Sequence, residues 1–227
     1  MNAAAMPIAG VIFDMDGLVI DTEAGYGLAW RQAASAMGYV LDEAVCAALS
    51  GANGAMVKAA ICHHLGADLA WSQFARLSGE HWRRHVEQVG IPVKPGFFEL
   101  IGVLQGANLP FGLATNSRRA EAEFCLQRAG LADVFPITIT RDDVAQPKPA
   151  PDVFVEAAKR LALKPSHCLV LEDSLVGVDA ARAAGCACVW VPSQPVAASW
   201  LLPQDVRLCD DLHQVAGFIS AAWAVSL

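Results

Sequence analysis

The chain has 227 residues, 55% of them hydrophobic and 17% charged, and a formal net charge of −7 at pH 7. That is apolar material for a sizeable core, either one larger domain or a core with a smaller insert, and an acidic balance that argues against a basic nucleic-acid footprint larger than a local patch. No apolar run approaches the roughly 18 residues of a membrane span, so neither a nucleic acid nor a membrane is an expected partner.

The opening stretch, Met1 to Pro7, has no basic segment and leads straight into an apolar run, so it does not read as a secretory signal. The seven cysteines are odd in number and scattered through apolar stretches, as buried thiols in a reducing compartment would be. The expected location is therefore the cytoplasm. Cys186 and Cys188 form C-x-C inside a strand-like run, which is not a zinc spacing.

The first predicted element is a buried strand over residues 8–13, ending in Phe13 and followed by Asp14-Met15-Asp16-Gly17. Two carboxylates leaving a core one residue apart are costly unless they meet water, a partner or a metal. The glycine after them lets backbone approach a ligand closely. An EF-hand loop is excluded, because the apolar Leu18-Val19-Ile20 follows. From about residue 22 to 90 the pattern is helical, with helices predicted over 22–37, 42–49, 54–65 and 71–89. Ile91 to Gly96, rich in Pro and Gly, is a linker. Beyond it strands alternate with helices: strand 111–114, helix 118–129, strand 137–140, helix 151–161, strand 168–171, a helix around 177–184 and strand 187–191. Alternation of that kind predicts a doubly wound parallel α/β sheet, with the helical block inserted after the first strand. The predicted domains are 1–20 with 93–227 as the α/β core, and 21–92 as a helical insert.

Ligands of open parallel sheets bind outside the carboxyl ends of the strands. At those ends the chain places Asp14 and Asp16, then Thr115-Asn116-Ser117, then Lys148 between two prolines, then Glu172-Asp173-Ser174. Thr115 to Ser117 alone could be a helix cap, Lys148 a surface lysine and Glu172-Asp173 a solvated turn. All four on one rim suit a single task. A hydroxyl and free N–H groups hold phosphate oxygens, a lysine neutralises the phosphoryl group, and carboxylates hold Mg²⁺.

These motifs, in this order, resemble the four motifs of the haloacid dehalogenase-like superfamily, over nearly the whole chain. The helical insert looks like the C1 cap of its subfamily IA. Residues 18–23, 148–152 and 172–177 resemble the branch that holds β-phosphoglucomutase and small sugar-phosphate phosphatases. The resemblance implies a Rossmann-like core and an Mg²⁺-dependent phosphatase acting through an aspartyl-phosphate. It makes Asp14 the nucleophile and Asp16 the general acid/base. Thr115 and the Asn116 amide hold the phosphoryl group, with Gly17, Ser117 and Arg118 beside it, and Lys148 neutralises charge. The metal residues are Asp14, Asp16, Glu172 and Asp173.

In the cap, Tyr26 and Asn53, with Lys58, His81, Arg84 and His85, are the substrate-contact candidates, each with a packing or surface alternative. The mutases carry a cap histidine where Tyr26 falls and an arginine where Gly54 falls. The leading expectation is thus a phosphatase of a small phosphorylated metabolite, working as a monomer or weak homodimer. The alternatives are a sugar phosphomutase and a catalytically inactive binding protein.

Overall fold

A computed structural model of the chain describes residues 8–49, 52, 54–193 and 202–224. Asn53, one of the cap candidates, lies outside the described residues. The chain divides into two compact units, Met1–Asp21 with Val93–Leu227, and Thr22–Pro92.

The first unit is a six-stranded, all-parallel sheet built from β1 (Gly10–Phe13), β2 (Phe111–Ala114), β3 (Thr138–Ile139), β4 (Cys168–Glu172), β5 (Ala187–Trp190) and β6 (Val206–Leu208), in the order β3-β2-β1-β4-β5-β6. Its helices are α5 (Phe97–Gly106), α6 (Arg119–Arg128), α7 (Asp152–Arg160), α8 (Leu175–Ala183) and α9 (Leu212–Ala224), numbered after the four of the second unit. Successive strands step one way from β1 to β3 and the other way from β4 to β6. That reversal is the doubly wound order, and it opens a crevice at β1.

Alternate residues of the buried strands serve opposite faces. Ile12, Val170 and Cys188 pack with Val153, Phe154 and Ala157 of α7 and Val178 and Ala181 of α8. Phe13 instead meets the rings of Phe97, Phe111 and Phe135 at centroid distances of 6.1, 6.2 and 5.7 Å, all edge-on. Burying each such side chain contributes about 1.5–3 kcal/mol.

The second unit consists, among its described residues, of α1 (Tyr26–Ala36), α2 (Glu43–Ala47), α3 (Gly54–Leu65) and α4 (Trp71–Val89). Its core gathers Ala33, Ala34, Leu41, Ile61, Leu69 and Phe74.

Several boundaries differ from those expected. The first strand starts at Gly10 rather than residue 8, and the predicted strand 137–140 shrinks to Thr138–Ile139. The helix predicted from residue 22 starts at Tyr26, because residues 22–25 form a turn. Likewise α6 starts at Arg119, with Arg118 extended at φ −68°, ψ 155°. The elements α5, β6 and α9 were not anticipated. Two residues of the short β6 are exposed, so it carries little apolar signal, while α5 buries Phe97, Leu100, Ile101 and Leu104 at helical spacing, a stripe blurred in the sequence by the further apolar residues Phe98 and Val103.

Candidate active site

The parallel register sets the site's first level. Phe13 lies abreast of Leu113 on β2 and Leu171 on β4. One step further on, Asp14, Ala114 and Glu172 stand side by side at the carboxyl edge. The ammonium of Lys148 reaches all three: it donates to Asp14 Oδ1 at 2.5 Å, to Glu172 Oε1 at 2.6 Å and to the Ala114 carbonyl at 2.9 Å. It also lies 4.7 Å from the centre of the Phe154 ring. Asp14 and Lys148 are 7% and 6% exposed and Glu172 is fully buried, so these are charges inside the protein, where pairing decides their cost.

Glu172 is held from its other side as well. Its Oε2 accepts from the backbone N–H and the hydroxyl of Ser174, and the Ser174 hydroxyl in turn accepts from Gly177 N–H at the start of α8. A Cβ on Gly177 would stand 1.8 Å from the Glu172 carboxyl carbon. That carboxylate cannot swing away without abandoning Lys148 or Ser174. Gly177→Ala is therefore expected to destabilise by about 1–3 kcal/mol or more, a fall of at least ~2 °C in a 227-residue chain. A thermal melt of the variant equal to the wild type would contradict this account.

Asp16 stands apart from the ammonium. Its Oδ2 accepts from the Ser117 hydroxyl at 2.8 Å and the Thr115 hydroxyl at 3.3 Å. Thr115 Oγ1 also accepts from Ser117 N–H at 3.0 Å. The Thr115 and Ser117 hydroxyls, expected to serve a phosphate, thus also orient the second carboxylate. The Asn116 side chain turns away from that cluster. It accepts from Lys148 N–H at 2.8 Å and donates to the Lys148 carbonyl at 3.2 Å. Arg118 is exposed, and the N–H of Arg119, at the first turn of α6, donates to Asp142 Oδ2. That helix end is therefore already partly capped.

Asp14, Glu172 and Asp173 offer oxygens within 4.8 Å of one another. Asp16 does not belong to that group through its carboxylate. Gly17, at φ +84°, adopts a conformation natural to glycine, and a Cβ there would fall 2.1 Å from Asp173 Oδ2. The electrostatics reflect the crowding. Burial pushes the Asp14 carboxyl well up; Lys148 pulls it back, while Glu172, Asp173 and Asp16 add to the rise. Asp173 is pushed up to about 7, first by burial and then by the Glu172 carboxylate, against a hydrogen bond from Ser193. Burial works to lower Lys148, but Asp14 and Glu172 outweigh it and the net shift is upward. Three carboxylates against one ammonium leave two negative charges when all are ionised. A divalent, oxygen-seeking cation fits that donor set and that deficit.

Tyr26, in the helical unit, opens α1 and packs against the rings of Trp30 and Trp82 at 6.0 and 5.7 Å. Among the described residues no helix is long and apolar enough to cross a membrane, and all seven cysteines are free thiols.

Known proteins similar to this chain share its family and its fold. The family model for haloacid dehalogenase-like hydrolases matches residues 8–185. The fructose-1-phosphate phosphatase YqaB of Escherichia coli is 35% identical over 179 residues, which cover 78% of this chain and 93% of that protein. A β-phosphoglucomutase of Bacillus subtilis is 30% identical, over 89% of this chain and 90% of its own length. Among solved structures, CbbY from Rhodobacter sphaeroides in complex with phosphate superposes with a TM-score of 0.67 at 25% identity, covering 92% of this chain and 96% of that one.

Proposed function

The chain belongs to the haloacid dehalogenase-like hydrolase family, and from that premise we propose that it is an Mg²⁺-dependent phosphatase that hydrolyses a small sugar phosphate through an aspartyl-phosphate on Asp14. The observation that carries this reading is the unlike surroundings of two neighbouring carboxylates. Asp14 is bonded to an ammonium, which opposes the upward push of burial on its carboxyl and so supports the ionised, nucleophilic form. Asp16 instead accepts from the Thr115 and Ser117 hydroxyls, surroundings that suit an acid/base. Splitting two carboxylates between such environments is how a site assigns one nucleophile and one acid/base.

In the first step an Asp14 oxygen attacks phosphorus, the ester P–O bond breaks, and the protonated Asp16 gives its proton to the leaving alcohol oxygen. In the second, Asp16 takes a proton from a water that attacks the phosphoryl group, releasing inorganic phosphate and restoring Asp14. Lys148 offsets the charge gathered on Asp14 and the phosphoryl oxygens. Asp14 and Asp173, with the backbone of Asp16, would hold the Mg²⁺, and Glu172 supports them through Lys148 and Ser174. The bound ion supplies positive charge against carboxylate–phosphate repulsion. The helical unit is proposed to choose the substrate.

The likeness to a β-phosphoglucomutase favours a phosphomutase as the second reading. Against it stand Tyr26, packed between two indoles, and Gly54, beside which a Cβ would meet nothing within 4 Å. No imidazole or guanidinium stands at either position. The deciding experiment assays a panel of sugar phosphates with Mg²⁺ for phosphate release. In parallel, β-glucose 1-phosphate with a trace of the 1,6-bisphosphate is followed for both products. Glucose 6-phosphate forming faster than inorganic phosphate would select the mutase. Activity is also expected to vanish after chelation with EDTA and return with Mg²⁺, while Ca²⁺, with its looser and more numerous ligands, inhibits. Full turnover by metal-free protein would refute the metal's place in this scheme.

A further inference from the structure

We infer that Asn116 is a positioning residue for Lys148: its side-chain amide acts as the missing strand neighbour of the lysine's backbone and so fixes where the ammonium lies. The inference rests on the functional reading above and adds a role for a side chain that sequence reasoning placed against the substrate.

Lys148 stands between Pro147 and Pro149, neither of which has an N–H to donate. It belongs to no strand. Its own N–H and carbonyl nevertheless both find partners, and both lie on one side chain: Asn116 Oδ1 accepts from Lys148 N–H at 2.8 Å, and Asn116 Nδ2 donates to the Lys148 carbonyl at 3.2 Å. A primary amide presents a donor and an acceptor side by side, as a strand edge does, so the pair reproduces a two-bond ladder rung.

The loop around it has few other anchors. Ala145, Gln146 and Pro149 are exposed. Ala150 N–H closes only a local turn onto Pro147, and Gln146 N–H reaches Asp152. Meanwhile the far end of Lys148 must meet three fixed acceptors, on Asp14, Glu172 and Ala114. A four-carbon stem can do that only from a defined backbone position.

The loop after β2 thus works in alternation. Thr115 and Ser117 aim Asp16, and Asn116, between them, aims Lys148. One three-residue segment sets the acid/base and the neutralising charge relative to each other. A role through Lys148 predicts loss in turnover; a direct contact with bound ester predicts loss in binding.

The test uses the full chain with saturating Mg²⁺ and the best ester from the phosphatase panel, with Asn116→Ala and Asn116→Asp as variants. Misplacing a catalytic group by about 1 Å can cost ~10²-fold, so Asn116→Ala is expected to lower kcat by about 10- to 100-fold with KM within about threefold of wild type. Amide hydrogen exchange, read by NMR, is expected to show the Lys148 N–H protected in the wild type and at least ~10-fold less protected in Asn116→Ala, as for a lost hydrogen bond. Asn116→Asp keeps the acceptor for Lys148 N–H and replaces the donor by a carboxylate oxygen that repels the Lys148 carbonyl. It should preserve that protection and give a kcat between the other two, which keeps the comparison available if the alanine variant does not fold. Unchanged kcat with raised KM, or undiminished protection of Lys148 in Asn116→Ala, overturns the inference, as does an Asn116→Asp variant with Lys148 unprotected. Should the wild type release phosphate from no ester, the phosphatase reading fails, and the exchange measurement still decides the clamp.

Discussion

Asp14→Asn is expected to eliminate turnover while leaving a folded protein that, free of divalent cations, melts no lower than the wild type. The first half follows from chemistry. A carboxamide oxygen is a poor nucleophile toward phosphorus, and removing a nucleophile outright can cost about 10⁶-fold in kcat. The second half follows from the crowding at the carboxyl edge. Burial, together with Glu172, Asp173 and Asp16, pushes the Asp14 carboxyl up despite Lys148. An acid whose folded pKa lies above its unfolded one favours the folded state below the unfolded pKa, and loses that contribution as pH rises through the folded value. At neutral pH and without metal, the ionised Asp14 is therefore an expense to the fold, and the neutral isostere removes it. Lys148 keeps Glu172 and the Ala114 carbonyl as partners. The measurements are phosphate release with Mg²⁺ and thermal melting in EDTA. Turnover above about one-hundredth of wild type would remove Asp14 from the nucleophile's role.

The contrast between what the sequence made legible and what it hid has a physical basis in range. Strands β1, β2, β4 and β5 are short, mostly apolar runs, and β1, β2 and β4 lead straight into polar groups that packing does not explain. Both signals are local. The same holds for α3 and α4, whose predicted and observed limits coincide. The carboxyl-edge rule then gathers Asp14, Asp16, Thr115, Lys148 and Glu172 from strand order alone.

The pairings among them are not local. Asn116 and Lys148 are 32 residues apart, Asp16 and Ser117 101, and Lys148 and Asp14 134. Asparagine beside threonine and serine reads equally as a helix cap, a phosphate contact or a backbone clamp until the loop carrying Lys148 is placed against it. Gly177 reads as an ordinary helix glycine until Glu172 is found where its Cβ would be. Residue type and order reveal which groups meet, while the partner each one takes depends on the sheet's register.

Lys148→Met supplies the converse of the Asp14 substitution, with the opposite sign on stability. The thioether side chain fills most of the lysine's volume and carries no charge. It leaves Asp14 and Glu172, both buried, facing each other without the ammonium that now touches both. Breaking a buried pair by removing one partner costs about 3–5 kcal/mol, because the charge left behind is uncompensated. The site can lessen that cost only by protonating a carboxylate. The loss should therefore be small at pH 5 and grow toward pH 8, since the Asp14 carboxyl, already pushed up by burial and raised further without the lysine, binds a proton that must be shed as pH rises. Turnover falls for a separate reason: the charge on Asp14 and the phosphoryl oxygens loses its neutralising donor, an effect of about 10²–10³-fold for a single preorganised group. Thermal melts of both proteins at pH 5 and pH 8, with phosphate release at saturating Mg²⁺, separate the two effects. A variant that melts with the wild type at pH 8 would mean that the buried carboxylates do not depend on Lys148. Turnover within about tenfold of wild type would mean that the ammonium serves the fold and not the reaction.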